Sequence, residues 1–210
     1  MLSRIRDLLF FPDRFFSQQD TEDVSLIYPA IIVGLSGLTS LVFFVLSIQI
    51  SDPLMLVMIS YSLVWMILMP FIGWAIYTIL FYYLGRMVSG SGTPGRILQY
   101  SGYGTLPGTL LGFLSLYGSS VILHYPGVFP GTTDSSSLHS FWLIAVGSVI
   151  LSFISLFWSG YIWAYGVAHA HKIPVRKSAL IVTIIVILSV MVIIWPLILN
   201  ELLMKMYSAG

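Results

Sequence analysis

Two histidines lie two residues apart in the segment AHAHK, a spacing that first suggests a metal site because neutral imidazole is a common metal ligand. His169 and His171 end a long apolar stretch that we predict to be a helix, and residues two apart on a helix point to different faces. His124 and His139 precede the same stretch and would lie at its other end. We therefore expect no metal site.

Serines and a glycine-rich turn are the other features that suggest chemistry, and neither has the context that catalysis needs. No GxSxG elbow is present, and no His or Asp lies within an apolar stretch to activate a hydroxyl. The turn SGSGTPG has no preceding strand and lacks the GK[ST] of a phosphate-binding loop, so its glycines predict a tight turn. The chain has no Cys and hence no thiol nucleophile. We expect no enzymatic activity and no cofactor.

The composition is that of a protein embedded in a membrane. Hydrophobic residues make up 58% of the 210 residues, charged residues make up 8%, and the mean hydropathy is +0.96. A soluble domain has about 25% charged residues, so this chain cannot cover a water-facing surface. The net charge is +1, without a long basic run, so nucleic acid is not an expected partner.

Five apolar stretches approach or exceed the roughly 20 residues that a helix needs to cross a membrane. We expect an all-α integral membrane bundle in one domain, residues 25–200, followed by a short external tail at 201–210. The sequence leaves open whether residues 54–61 are interfacial, re-entrant or part of the second span. The predicted spans are 25–50, 62–84, 97–123, 141–168 and 179–199.

Residues 1–24 precede the first span and form an amphipathic segment. Apolar residues from Leu2 to Leu9 recur at helical spacing, with charged residues on the other side, and Pro12 should end the helix. Such a helix would lie in the headgroup region with its apolar face down. The alternative is a leader that docks on the protein's own loops.

The nine Lys and Arg residues predict how the bundle is oriented. With five spans, all except Lys205 fall on one side of the membrane, which the positive-inside rule makes cytoplasmic. The N-terminus is then inside and the C-terminus outside. We expect the loop cations on this side to contact lipid phosphates or a partner. They are Arg86, Arg96, Lys172, Arg176 and Lys177.

Small residues recur along the third and fourth predicted spans at the spacing of helix-packing ridges. Such ridges let helix backbones approach closely in a membrane. We expect them to pack within the bundle, and homo-oligomerisation through one ridge is the alternative. The ridge residues are Gly104, Gly108, Gly112, Ser148, Ser152, Ser155 and Ser159.

Three patches of sequence, in order, resemble the Yip family of polytopic membrane proteins, which is named for interaction with Ypt/Rab GTPases. FP-x-x-FF precedes the first span, GY-x-x-LP lies in the third span after a glycine-containing turn, and the segment Gly166 to Leu180 joins the last two spans. The five-span, N-inside topology is also the family's. The motif residues are Pro12, Phe15, Phe16, Gly102, Tyr103, Leu106 and Pro107.

The resemblance implies a membrane-organising or trafficking-type role without enzymatic chemistry. The FP-x-x-FF patch is similar to that of prokaryotic members, so we expect an archaeal or bacterial protein of the cell membrane. The chain lacks the DLYGP-type motif of eukaryotic members and has only residues 1–24 before its first span. We therefore do not expect a Rab-type GTPase as a partner.

These observations leave two classes of function. The first is a scaffolding or binding module, whose partners would be membrane lipids, another membrane protein or a second copy of the chain. The alternative is a passive transporter or channel for a small neutral or lipidic substrate. No Asp, Glu, Lys or Arg lies within the five predicted spans, so a proton-coupled carrier would have no group to titrate.

Overall fold

A computed structural model describes residues 2–47, 53–123 and 135–208, and every regular element in these ranges is an α-helix. The helices are α1 (Leu2–Phe10), α2 (Pro12–Gln19), α3 (Ile27–Ser47), α4 (Pro53–Met87), α5 (Pro94–Tyr103), α6 (Leu106–Leu123), α7 (Ser135–His171) and α8 (Val175–Ser208).

The five long helices form a closed ring, and α4 and α7 also contact each other across it. The order around the ring is α3, α4, α8, α7, α6 and back to α3. The short helix α5 contacts α3, α4 and α7 and therefore fills the space that they enclose. The all-α bundle that the sequence predicts is thus confirmed.

Three helices in the described part of the chain are long and apolar enough to cross a membrane. They are Tyr61–Met87, Val146–His171 and Val175–Val192, and Ile27–Val42 is a shorter apolar helix. Their outward faces carry large apolar side chains, such as Phe157 and Leu180, that suit contact with hydrocarbon. The count of five spans and the orientation stay predictions.

Helix α4 continues through Pro70 as a single element of 35 residues. At a rise of 1.5 Å per residue it is about 52 Å long, which exceeds the roughly 30 Å hydrocarbon core. Residues 54–61, whose placement the sequence left open, belong to this helix.

The predicted span 97–123 is divided in two by Gly104 and Thr105, which are not helical. Pro107 follows at the second position of α6, where a missing N–H costs nothing, whereas inside a continuous helix its ring would clash with the carbonyl of Tyr103. The Thr105 backbone N–H and hydroxyl both donate to the Gly102 carbonyl, at 3.1 and 2.7 Å. The separate α5 is too short to cross a membrane.

The N-terminal segment forms two helices rather than one, because Pro12 opens α2 at its first position. Leu8, Leu9 and the side chains of the FF pair are buried in the same core as α5 and α7. The Trp158 indole of α7 donates to the Leu9 carbonyl at 3.0 Å. The segment therefore docks on the protein itself through these side chains.

We predict that Gly104→Ala will destabilise the bundle, because a Cβ on Gly104 would collide with the buried indole of Trp163. Overpacking of this kind costs about 1–3 kcal/mol. The apparent melting temperature of the purified protein in detergent should fall by several degrees. Gly73→Ala is the matched control, since no side-chain or neighbouring-helix atom lies within 4 Å of its added Cβ. Equal melting temperatures for the two variants would contradict the close approach of α5 and α7.

Candidate functional site

The two motifs that lie far apart in the sequence meet in one aromatic cluster, which consists of Phe15, Phe16, Tyr100 and Tyr103. The Phe15 and Tyr103 rings meet edge to face with centroids 5.1 Å apart. The Phe16 and Tyr100 centroids are 4.7 Å apart, and Phe16 is completely buried. Pairs in such geometries contribute about 0.5–1.5 kcal/mol beyond their buried area. The cluster thus joins α2 to α5.

Two tryptophans from different helices donate hydrogen bonds to α5. The Trp74 indole N–H of α4 donates to the Leu98 carbonyl at 2.9 Å, and the Trp163 indole N–H of α7 donates to the Ser101 carbonyl at 2.8 Å. The Thr78 and Ser101 hydroxyls are 2.8 Å apart and also bond. These bonds satisfy polar groups of a short helix in surroundings where water is scarce.

Gly102 of the GY-x-x-LP motif is required by this packing. A Cβ at this position would stand 2.7 Å from the Pro29 Cβ and 3.0 Å from the Trp74 indole. Leu106 and Pro107 of the same motif are buried as well. The motif therefore determines how α5 and α6 pack against the neighbouring helices.

A set of polar contacts, here called the N-terminal clamp, fastens α2 to α5 and α7. It consists of Asp13, Asp20, Arg96, Tyr100 and His169. The two ring nitrogens of His169 lie 2.7 Å from an Asp20 carboxylate oxygen and 3.0 Å from an Asp13 carboxylate oxygen. The Tyr100 hydroxyl donates to the other Asp20 oxygen at 2.9 Å.

Arg96 belongs to the clamp and is therefore not a free cation. Its guanidinium donates to the backbone carbonyls of Gln19 and Glu22, both at 2.9 Å, and lies over the Tyr100 ring.

His171 joins the glycine turn to the end of α7. Its Nδ1 accepts from the Gly92 N–H at 3.3 Å, so Nε2 carries the proton and donates to the Phe81 carbonyl at 3.1 Å. The Ser91 N–H donates to the His171 carbonyl at 3.0 Å. A Cβ on Gly90 would collide with the ring and one on Gly92 with the Ala170 carbonyl, which explains why this turn is rich in glycine.

The structure gives the paired histidines separate roles, in the clamp and in the glycine turn. Among the described residues, no group of three or more His, Cys, Asp or Glu is arranged to hold a metal ion. His124 and His139 lie outside the residues whose side chains are described. Nothing here assigns catalytic chemistry to either described histidine.

Four of the five predicted contact residues remain exposed at the end of the bundle that carries these loops. They are Arg86, Lys172, Arg176 and Lys177. Among the described residues, no acidic side chain forms an ion pair with them, whereas Arg4 pairs with Glu22, and Arg6 and Arg14 pair with Asp7. We call these four residues the basic face.

The ridge residues face different neighbours. A Cβ on Gly108 would meet the Ser155 hydroxyl of α7 at 3.2 Å, and one on Gly112 would meet Thr39 of α3 at 3.3 Å. Ser159 is buried, whereas Ser148 and Ser152 are exposed. The Ser152 hydroxyl donates to the Ser148 carbonyl of its own helix at 2.8 Å.

Sequence reasoning missed the acidic and tryptophan partners. In the sequence, Asp13 and Asp20 are simply charged residues of a polar segment. Trp74 and Trp163 are not distinguishable from the other apolar residues of the long spans. The available signal was Gln99-Tyr100 before the GY motif, since a polar pair at the start of a predicted span requires partners.

The fold and this site define a multi-pass helical membrane protein whose amphipathic N-terminal helices are fastened to one end of the bundle. The model of the Yip1 domain matches residues 6–196. The chain therefore belongs to the Yip1 domain family. The comparisons with curated proteins and with solved structures found no match.

We predict that Asp20→Asn will loosen the N-terminal clamp, because it removes the charge that faces His169. The His169 side chain is 19% exposed and that of Asp20 is 40% exposed, so we expect a loss of about 1 kcal/mol. Tryptic cleavage after Arg14, which requires local opening, should accelerate about fivefold.

Asp23→Asn is the matched control, because it makes the same change at an exposed side chain of the same segment. Its cleavage rate should equal that of the unmodified protein. Acceleration of the same size in both variants would show that net charge, rather than the contact with His169, governs docking.

Proposed function

We propose that this Yip-type protein is a non-enzymatic membrane-organising or scaffolding module whose basic face contacts lipid headgroups or a protein partner. The observation that carries the proposal is the basic face itself. Its four cations are exposed and free of ion pairs with the described acidic residues, whereas Arg96, one of the five expected contact residues, is bonded within the clamp.

The contacts between the two loops support a single continuous surface. The bond from Ser91 to His171 ties the glycine turn, next to Arg86, to the segment that carries Lys172. Lys172 itself adopts a φ of 55° and ends α7, so it lies in a defined turn. Each Lys or Arg near an anionic membrane surface contributes about 1 kcal/mol of attraction.

By the positive-inside rule we place the basic face in the cytoplasm, together with the N-terminus. We further propose a prokaryotic cell membrane as its location, on the resemblance of the FP-x-x-FF patch. The partner is then an anionic lipid surface or another membrane protein, and a Rab-type GTPase is not part of the proposal.

The described residues around Pro107 give no support to the alternative of a passive transporter. Such a protein needs a cavity that reaches the membrane midplane beside Pro107. Pro107 is less than 2% exposed, and its neighbours Leu106 and Thr109 are buried as well. The described interior at this level is therefore filled by side chains.

We predict that the triple variant Lys172→Gln, Arg176→Gln, Lys177→Gln will bind anionic vesicles at least tenfold more weakly. Removing three cations from the membrane surface weakens the binding free energy by at most about 3 kcal/mol. Salt screening lowers this value. Protein in neutral-lipid nanodiscs would be mixed with phosphatidylglycerol vesicles, and the bound fraction would be measured by flotation.

The matched control is Arg4→Gln, Arg6→Gln, Arg14→Gln, which removes the same charge from side chains already paired with acids. It should reduce binding much less. Undiminished vesicle binding by the first triple variant, with no loss of any co-purifying protein, would remove the proposed function.

A further inference from the structure

An apolar groove of about 670 Å³ runs between α7 and α8 on the outside of the ring. One wall is formed by Phe153, Phe157 and Tyr161, and the other by Val186, Val190 and Met191. Small residues also line the groove, namely Gly160 and Ala164 of α7 and Ala179 of α8, and a Cβ on Gly160 would stand 3.2 Å from Val186. The volume lies within the range of about 300–1,000 Å³ that is typical of ligand sites.

The groove runs toward the basic face. Its residues on α8 follow at helical spacing from Ala179 through Thr183 and Val186 to Val190. Arg176 precedes Ala179 by three residues and therefore lies on the same side of the helix, one turn closer to the helix end. The Arg176 side chain is exposed. The groove thus begins next to one cation and is otherwise lined mainly by apolar side chains.

The length of the groove matches one half of a membrane. From Ala179 to Met191 the helix advances about 18 Å at 1.5 Å per residue. The hydrocarbon core is about 30 Å thick, so one leaflet is about 15 Å deep. A helix of a second copy would cross both leaflets, whereas an acyl chain ends at the middle of the membrane. The charge at one end of the groove also has no role in packing an apolar helix.

We propose that this groove binds one anionic phospholipid, with an acyl chain between α7 and α8 and the phosphate at Arg176. The inference rests on the proposed function, because it assigns the lipid contact of the basic face to a defined site. The apolar lining holds the chain, and Arg176 selects a headgroup of net negative charge.

The test compares two phenylalanine substitutions on α8 in the full-length protein. Ala179→Phe fills the groove beside its charged end, whereas Leu180→Phe places the same ring on the neighbouring residue, which is 66% exposed and does not line the groove. Purified protein would be mixed with equal amounts of dioleoyl phosphatidylglycerol and dioleoyl phosphatidylcholine. Native mass spectrometry would then count the lipids retained.

The unmodified protein and Leu180→Phe should retain one phosphatidylglycerol in preference to phosphatidylcholine. Ala179→Phe should retain about tenfold less phosphatidylglycerol. This is the loss expected when roughly two methylene groups of the acyl chain no longer contact the apolar groove. Equal retention by the two phenylalanine variants would overturn the proposal.

The exposed position Thr183 offers a second groove-filling variant in case Ala179→Phe fails to fold. Thr183→Phe lies on the groove, and Ile184→Phe, which is 50% exposed and lies off it, is the control. Thr183→Phe should lose the retained lipid and Ile184→Phe should keep it. Retention by both would again contradict the site.

Single charge changes test the headgroup. Arg176→Gln should lower the preference for phosphatidylglycerol about fivefold, whereas Arg86→Gln removes the same charge from the other loop and should leave the preference unchanged. Equal effects of the two changes would refute a local phosphate contact. If the phenylalanine pairs behave alike while the triple glutamine variant still loses vesicle binding, the groove is excluded and the basic face remains.

Discussion

The structure depends on two indole N–H groups that donate to the backbone of α5. A helix of ten residues cannot cross a membrane, and its end at Tyr103 leaves carbonyl groups that need donors where water is scarce. Trp163 supplies one to Ser101, and Trp74 adds a bond to the carbonyl of Leu98, which lies before the last four residues of the helix. Because these donors come from α7 and α4, α5 links two ring helices that also contact each other directly, through Trp163 against Tyr77 and Phe81.

The N-terminal helices pack at the same end of the bundle and determine which charged side chains there remain without an ion-pair partner. Asp7, Asp13, Asp20 and Glu22 each contact an arginine or a histidine within this region. These four acidic side chains are therefore already paired with Arg or His side chains of the same protein. The cations outside the N-terminal segment have no acidic partner among the described side chains. A protein with a net charge of only +1 thus presents a locally basic surface.

The sequence predicted the class of fold because hydrophobic runs and segregated charges depend only on the solvent, which is hydrocarbon. It could not predict that 97–123 would divide at Gly104, since Pro107 is compatible with both a kinked helix and a new helix start. Asp20 and His169 are 149 residues apart, and a single sequence carries no signal for that pairing. The aromatic motif residues were recognised by family resemblance, and their mutual contact required the structure.

The interior and the surface of the bundle suit different tasks. Where the helices meet, glycines stand against tryptophan, histidine or proline rings, and the Leu98 and Ser101 carbonyls of α5 accept from indole N–H groups, so a ligand would have to displace existing contacts. At the basic face, by contrast, charged groups are exposed and paired with no described acid. Binding there requires no rearrangement of the core. The packing of the described interior and the exposure of the basic face therefore support the proposal of a module that binds at one membrane surface.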